Sequence, residues 1–303
     1  MLMEAVESYL AVRRAAGFAL RSEGSLLQSF ARFSDAKGQQ YVSSKTAIEW
    51  AGLASSIPRR ARRLGEVIRF ARYIRAEDLR HAVPAAVFGS ETRRRPVPFI
   101  FSQQDIHRLL EAASQLGRRD PFRGHTYHTF FGLLACTGLR VSEAIRLRLD
   151  DITSDGLVIR CSKFHKSRLV PLHPTTQSAL ERYLKLRRSY APFDDHVFVS
   201  LRRKALLVGD TETAFKMMVQ EVGLLRGLGL PRPTIHSLRH TFAVRVLETC
   251  PDGRDRITKH MLALSTYLGH SQVALTYWYL EATPELMRQI ADASERLVTG
   301  GRP

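Results

Sequence analysis

The stretch ETRRRPVPF, residues 91–99, sets the strongest limit on how this chain folds. Three consecutive arginines are followed by two prolines, so the segment can neither continue a helix nor pair well in a sheet. A chain of 303 residues exceeds one usual domain, and this break falls where a linker between two would sit. We therefore expect a helical domain over residues 1–90, a linker over 91–98 and a larger domain over 99–303.

Apolar spacing sets the local structure on either side. Val6, Tyr9, Leu10 and then Leu26, Leu27, Phe30 recur at three and four, with Gly17 marking a break between two amphipathic helices. A further helix is expected from near Pro58, with Leu64, Val67, Ile68, Ala71 and Ile74 on one side and Arg62, Arg69 and Arg72 on the other. Beyond the linker, Ser102 and Asp105 form a capping-box start for a helix carrying Ile106, Leu109, Leu110 and Ala113. Between Leu157 and Leu172 the pattern changes to two short β-prone runs, LVIRC and RLVPL, joined by the basic KFHKS, which suits a hairpin. The fold class expected is mainly α with a small antiparallel sheet.

Charge narrows the partner. Lys and Arg number 46 against 29 Asp and Glu, a formal charge of +17, which predicts an anionic polymer as ligand. The three cysteines, Cys136, Cys161 and Cys250, make no CxxC or Cys/His cluster, so a reducing compartment and no structural zinc are expected. The apolar runs fall short of a membrane span and the N-terminus lacks a signal-peptide pattern, which predicts a soluble cytoplasmic protein.

Four motifs carry the chemistry. TGLR places Arg140 at the start of a helix after a Thr137–Gly138 break, where a guanidinium can face a phosphate with two charge-assisted hydrogen bonds; taken alone, a surface pair with Glu143 explains it better. KFHKSRLVPL supplies Lys163 and Lys166. HSLRH puts His236 and Arg239 on one helix face, one able to move protons and the other to hold charge. LGH supplies His270, and Tyr279 follows nine residues later. Each motif is modest by itself, but the ordered set resembles the tyrosine recombinase and phage integrase family, over about Phe99 to Leu297.

That resemblance implies a helical core-binding domain followed by a catalytic domain that cleaves and rejoins DNA through a 3' phosphotyrosine and a Holliday junction, with no metal or other cofactor. It makes Arg140 and Arg239 the arginine pair, His236 and His270 the histidines, and Tyr279 the nucleophile, chosen over the nearby Tyr267 and Tyr277 by the nine-residue spacing. Lys163, the first lysine of its motif, is the implied general acid, with Lys166 left open as its alternative. Partners implied are double-stranded DNA recombination sites and a homotetramer on DNA, monomeric when free.

Arg62, Arg69, Arg72, Arg93, Arg94, Arg95 and Lys166 are candidate DNA contacts. The segment Thr283–Leu297 is a candidate helix for docking on a neighbouring protomer, and TYWYLEATPELM resembles mobile-element recombinases. TCPDGRDRITKHMLALS, between the second and third histidines of the motif set, is longer than the family's usual connection and predicts an extended or rearranged loop. A topoisomerase IB-like relaxing enzyme and a catalytically inactive architectural DNA-binding protein of the same fold are the competing readings.

Overall fold

The computed structural model describes residues 2–89, 97–117, 120–160, 167–224, 231–249, 254–269 and 279, with backbone alone at 254–257. Two compact units divide the chain, Met1–Arg95 and Pro96–Pro303. Among the described residues there are eleven α-helices and one three-stranded antiparallel sheet, the mainly helical class expected.

The first unit packs α1 (Leu2–Ala15), α2 (Arg21–Asp35), α3 (Ser44–Gly52) and α4 (Ile57–Ile74) around one core. Gly17, at φ +88°, makes the turn between α1 and α2. Val6, Leu10, Phe30 and Trp50 are buried, and Phe30 meets Trp50 edge-on with centroids 5.4 Å apart. On α4 the predicted apolar face is buried, and Glu66 and Phe70 join it. Arg62, Arg69 and Arg72 stand exposed on the opposite side. Two of them have partners within the unit. Arg62 donates to Ser22 Oγ at 2.9 Å and reaches Glu23, while Arg69 pairs with Glu66.

The second unit opens with α5 (Gln103–Gln115). Its capping box forms as predicted: Ser102 Oγ accepts from the Asp105 amide and the Asp105 carboxylate accepts from the Ser102 amide, both at 3.0 Å. Next, α6 (Pro121–Thr137) begins at an Asp120 cap with proline in its first turn. It ends at Gly138, φ +61°, where a Cβ would stand 2.6 Å from the Phe242 ring. Glycine is therefore required twice over, and the turn it makes delivers Arg140 to the cap of α7 (Val141–Arg146).

The sheet follows: β1 (Ile152–Thr153), β2 (Gly156–Ile159) and β3 (Arg168–Val170), in that order, with Leu157 opposite Val170 and Ile159 opposite Arg168. Alternation buries Leu157, Ile159 and Val170 and leaves Leu169 exposed. The expected hairpin is thus present as a strand pair. Then come α8 (Pro174–Tyr190), α9 (Val208–Glu221) and α10 (Ile235–Glu248), packed around Phe101, Phe130, Phe131, Phe198 and Phe215.

One expectation is corrected. The segment after α10, expected to be an extended or rearranged loop, is helical from Arg254 onward as α11 (Arg254–Leu268). Met261, Leu264 and Leu268 recur at three and four residues and bury against Ala243, Val244 and Leu247 of α10, which is enough apolar contact to hold a helix there. No helix among the described residues is long and apolar enough to cross a membrane.

Candidate active site

Arg239 lies in the second turn of α10 and is 2 % exposed. Its guanidinium donates to two main-chain carbonyls, Gly138 O at 2.6 Å and Leu268 O at 2.7 Å. Arg140 donates to the next carbonyl along, Gly269 O, at 3.2 Å, and to Glu143 Oε1 at 2.7 Å. The C-terminal end of α11 therefore holds two guanidiniums on consecutive carbonyls. That end carries unsatisfied oxygens and the negative pole of the helix, which is how two cations are tolerated side by side.

Burial, and then Arg140 beside it, lowers Arg239 to about 10, so it remains charged at neutral pH. The side chain of Arg140 is 30 % exposed, leaving part of its fork open to an incoming anion.

Glu143 supplies the countercharge. It is buried, and its carboxylate accepts from the Arg140 amide at 3.0 Å as well as from both terminal nitrogens of Arg168, at 3.0 and 2.8 Å. Burial alone would raise this carboxyl, but the hydrogen bonds from Arg168 and Arg140 outweigh it and hold the group down at about 2. The Arg140–Glu143 pair that the sequence offered as a mere surface contact is present, and it belongs to a larger network instead of excluding a role for Arg140.

Tyr279 closes the site from the other side. Its ring is 3 % exposed and packs with Val244, Leu247, Leu264 and Leu268 in the small core between α10 and α11. Its hydroxyl is 3.3 Å from His240 Nδ1, either group being able to donate. His240 in turn meets the His236 ring edge-on, centroids 4.4 Å apart, one helical turn earlier on α10. Arg239, next to His240 on α10, also interacts electrostatically with Tyr279, so hydroxyl, histidines and arginines form one cluster.

Desolvation, followed by the nearby Arg239 and Arg140, pushes His236 down to about 4. The residue is nevertheless exposed at the surface, so solvent moderates the desolvation part while the two guanidiniums act in the same direction. On either weighting the ring is neutral at pH 7 and able to accept a proton.

Four of the six expected catalytic residues, Arg140, His236, Arg239 and Tyr279, thus come together. Lys163 and His270 lie outside the described residues, as do Lys166, Arg93, Arg94, Arg95, Tyr277 and the segment Thr283–Leu297. Tyr267, a neighbour of the site in sequence, is a core aromatic: it stacks on Phe242 with centroids 5.5 Å apart, and burial pushes its phenol up to about 12. Three participants were not assigned roles from the sequence. His240 was visible as the last letter of HSLRH, Arg168 as the arginine of RLVPL, and Glu143 only as a pairing partner. A cleft lined by Arg123, Tyr127, Ser200, Arg202 and Asp210 shares no residue with this cluster.

Comparison with known proteins identifies the family. The Phage integrase family matches residues 100–285. The Sinorhizobium fredii protein y4rB, whose name describes an integrase/recombinase, is 37 % identical over 303 residues, covering 97 % of this chain and 96 % of its own length. Among solved structures, the Tn1549 transposon integrase in complex with transposon right end DNA has a TM-score of 0.67 at 17 % identity, covering 96 % of this chain and 98 % of that one. A lambda integrase tetramer bound to a Holliday junction has a TM-score of 0.66 at 16 % identity, covering 92 % of this chain and 76 % of that one. At such identities the structures establish the shared fold, while the sequence matches establish kinship. The chain belongs to the phage integrase family of tyrosine recombinases, site-specific enzymes that break and rejoin DNA.

Proposed function

We propose that this recombinase cleaves DNA by attack of the Tyr279 hydroxyl on a phosphodiester, forming a 3' phosphotyrosine that a second 5' hydroxyl reverses. The observation that carries the reading is the cluster itself: a phenol 3.3 Å from a histidine on the same helix as Arg239, with Arg239 and Arg140 on neighbouring carbonyls.

As the phenolic oxygen bonds to phosphorus, negative charge gathers on the non-bridging oxygens, and the two guanidiniums stabilise it. A phenol with an ordinary pKa of about 10 must give up its proton. His236 accepts it, while His240, in contact with both the phenol and the His236 ring, orients the hydroxyl. The bond to the 5' oxygen breaks, and that oxygen takes a proton from Lys163, with Lys166 as the alternative donor. His270 donates a hydrogen bond to the phosphate. The phosphodiester energy is conserved in the tyrosyl linkage, so rejoining needs no nucleotide and the scheme needs no metal or cofactor.

Because Tyr279 is buried between α10 and α11, the scheme requires its side chain to swing toward the DNA before attack. Residues 1–90 are read as a core-binding domain gripping the duplex through Arg62, Arg69 and Arg72. Arg93, Arg94 and Arg95 of the linker and Lys166 add phosphate contacts. In solution the chain is read as a cytoplasmic monomer that assembles as a homotetramer on two recombination sites and passes through a Holliday junction; the junction-bound lambda integrase tetramer supports this. Integration or transposition of a mobile element is the favoured role, supported by the likeness to a transposon integrase.

A nicked suicide duplex tests the chemistry. The wild-type chain should form an SDS-stable protein–DNA adduct that Tyr279→Phe does not form, and an adduct of equal yield in that variant would sink the proposal. Strand exchange between two sites without free ends separates a recombinase from a relaxing enzyme.

A further inference from the structure

Arg168 has no place in the scheme above, yet it is the most heavily engaged side chain around Glu143. Only 10 % of it is exposed. Two of its nitrogens fork onto the Glu143 carboxylate, and its Nε donates to Tyr267 O at 2.8 Å. The guanidinium lies flat against Gly269, where a Cβ would come within 3.0 Å of Nη1 and 3.2 Å of Cζ. This explains the glycine of LGH on two counts: φ is +65°, and a side chain would displace Arg168.

One residue thus ties together three segments. It sits on β3, five positions after Lys163. Through Glu143 it reaches Arg140, and through Tyr267 and Gly269 it reaches the end of α11, after which His270 follows in sequence. An arginine suits this post because its planar fork fills both carboxylate oxygens while a third N–H remains for a carbonyl; a lysine cannot do all three in a fixed geometry.

We propose that Arg168 is a positioning residue of the recombination site: by clamping Glu143 and the end of α11 it sets where the Arg140 guanidinium points at the scissile phosphate. Arg168 itself does not touch DNA in this account. The inference rests on the reading of Arg140 as a charge donor to the reacting phosphate.

The test compares two nicked duplexes in single-turnover cleavage at saturating protein. One carries an ordinary scissile phosphodiester. The other carries a methylphosphonate, in which a methyl group replaces one non-bridging oxygen and removes the charge. A misaimed arginine matters less on the neutral centre, whereas a loosened fold slows both substrates alike. Arg168→Ala should slow the ordinary substrate by about tenfold or more, short of the ~10² to 10³ lost with a whole donor. On the methylphosphonate the defect should shrink at least about threefold, in parallel with Arg140→Ala. Should Arg168→Ala not fold, Arg168→Lys is judged by the same criterion.

Wild-type speed on the ordinary duplex, or a defect that shrinks less than this, overturns the inference while leaving the recombinase reading intact. A wild-type chain that forms no adduct on the ordinary duplex overturns both.

Discussion

Replacing Glu143 by Gln keeps the shape of the side chain and removes its charge from between two guanidiniums. Its carboxyl is held at about 2 in the folded chain against an ordinary 4.5, and its side chain is 3 % exposed, so solvent screening takes little from the difference. At 1.36 kcal/mol per pH unit this corresponds to ~3 kcal/mol of stability at pH 7. The folded value is the lower one, so the contribution is complete above the unfolded pKa and is lost as pH falls toward the folded one. At pH 3 roughly half remains, ~1.5 kcal/mol. For a unit of about 200 residues each kcal/mol moves the melting point by roughly 2 to 4 °C. Glu143→Gln should therefore melt roughly 6 to 12 °C below wild type at pH 7, with a gap about half as wide at pH 3. Calorimetry of both proteins at the two pH values measures this. A gap under about 2 °C at pH 7, or one that does not narrow in acid, would refute the claim that an ionised carboxylate anchors the arginine frame.

Three further expectations follow from other parts of the molecule. Gly138→Ala places a methyl group 2.6 Å from the Phe242 ring at a positive φ, and should cost about 1 to 3 kcal/mol in denaturant unfolding; an unchanged midpoint would show that the α6–α7 turn relaxes freely. His236 should titrate well below the ordinary histidine value of 6.5, so its ring proton resonance should stay at its neutral position through pH 6, and a midpoint at or above 6.5 would contradict the placement of two guanidiniums beside it. If the six arginines Arg62, Arg69, Arg72, Arg93, Arg94 and Arg95 each neutralise one phosphate, log affinity should fall against log salt with a slope near about −5, and reversing Arg72 to Glu should flatten it by more than about one; a slope near about −1 would remove these residues from the DNA interface.

Much of the candidate site was legible in the sequence because its parts are local motifs. Gly138 had to end a helix, which put Arg140 at the start of the next, and the i, i+3 spacing of His236 and Arg239 put both on one face. The apolar face of α4 and the cap at Ser102 were readable for the same reason: each depends on neighbours three or four positions away. What escaped was long-range. Arg168 is 25 residues from Glu143 and 99 from Tyr267, and within RLVPL it reads only as a strand residue. His240 looked like a motif letter because its partner is 39 positions on. The segment that holds α11 was expected to be an extended or rearranged loop because it is longer than the family's usual connection, although the spacing of Met261, Leu264 and Leu268 already carried a helical period.

The burial of Tyr279 gives the account its dynamic content. In the proposed scheme the Tyr279 phenol, packed with Leu264 and Leu268, must leave that position before it reaches a phosphate. The arginine frame, by contrast, is fixed by carbonyls and Glu143 before any substrate arrives, which is the preorganisation that charge stabilisation requires.

Tandem mass spectrometry of the peptide recovered from a trapped covalent complex bears most directly on the central assignment. The nucleotide remnant should localise to the oxygen of Tyr279. Its appearance on Tyr277, Tyr267 or a serine instead would mean that the phenol beside His240 and the paired arginines is not the group that breaks the strand.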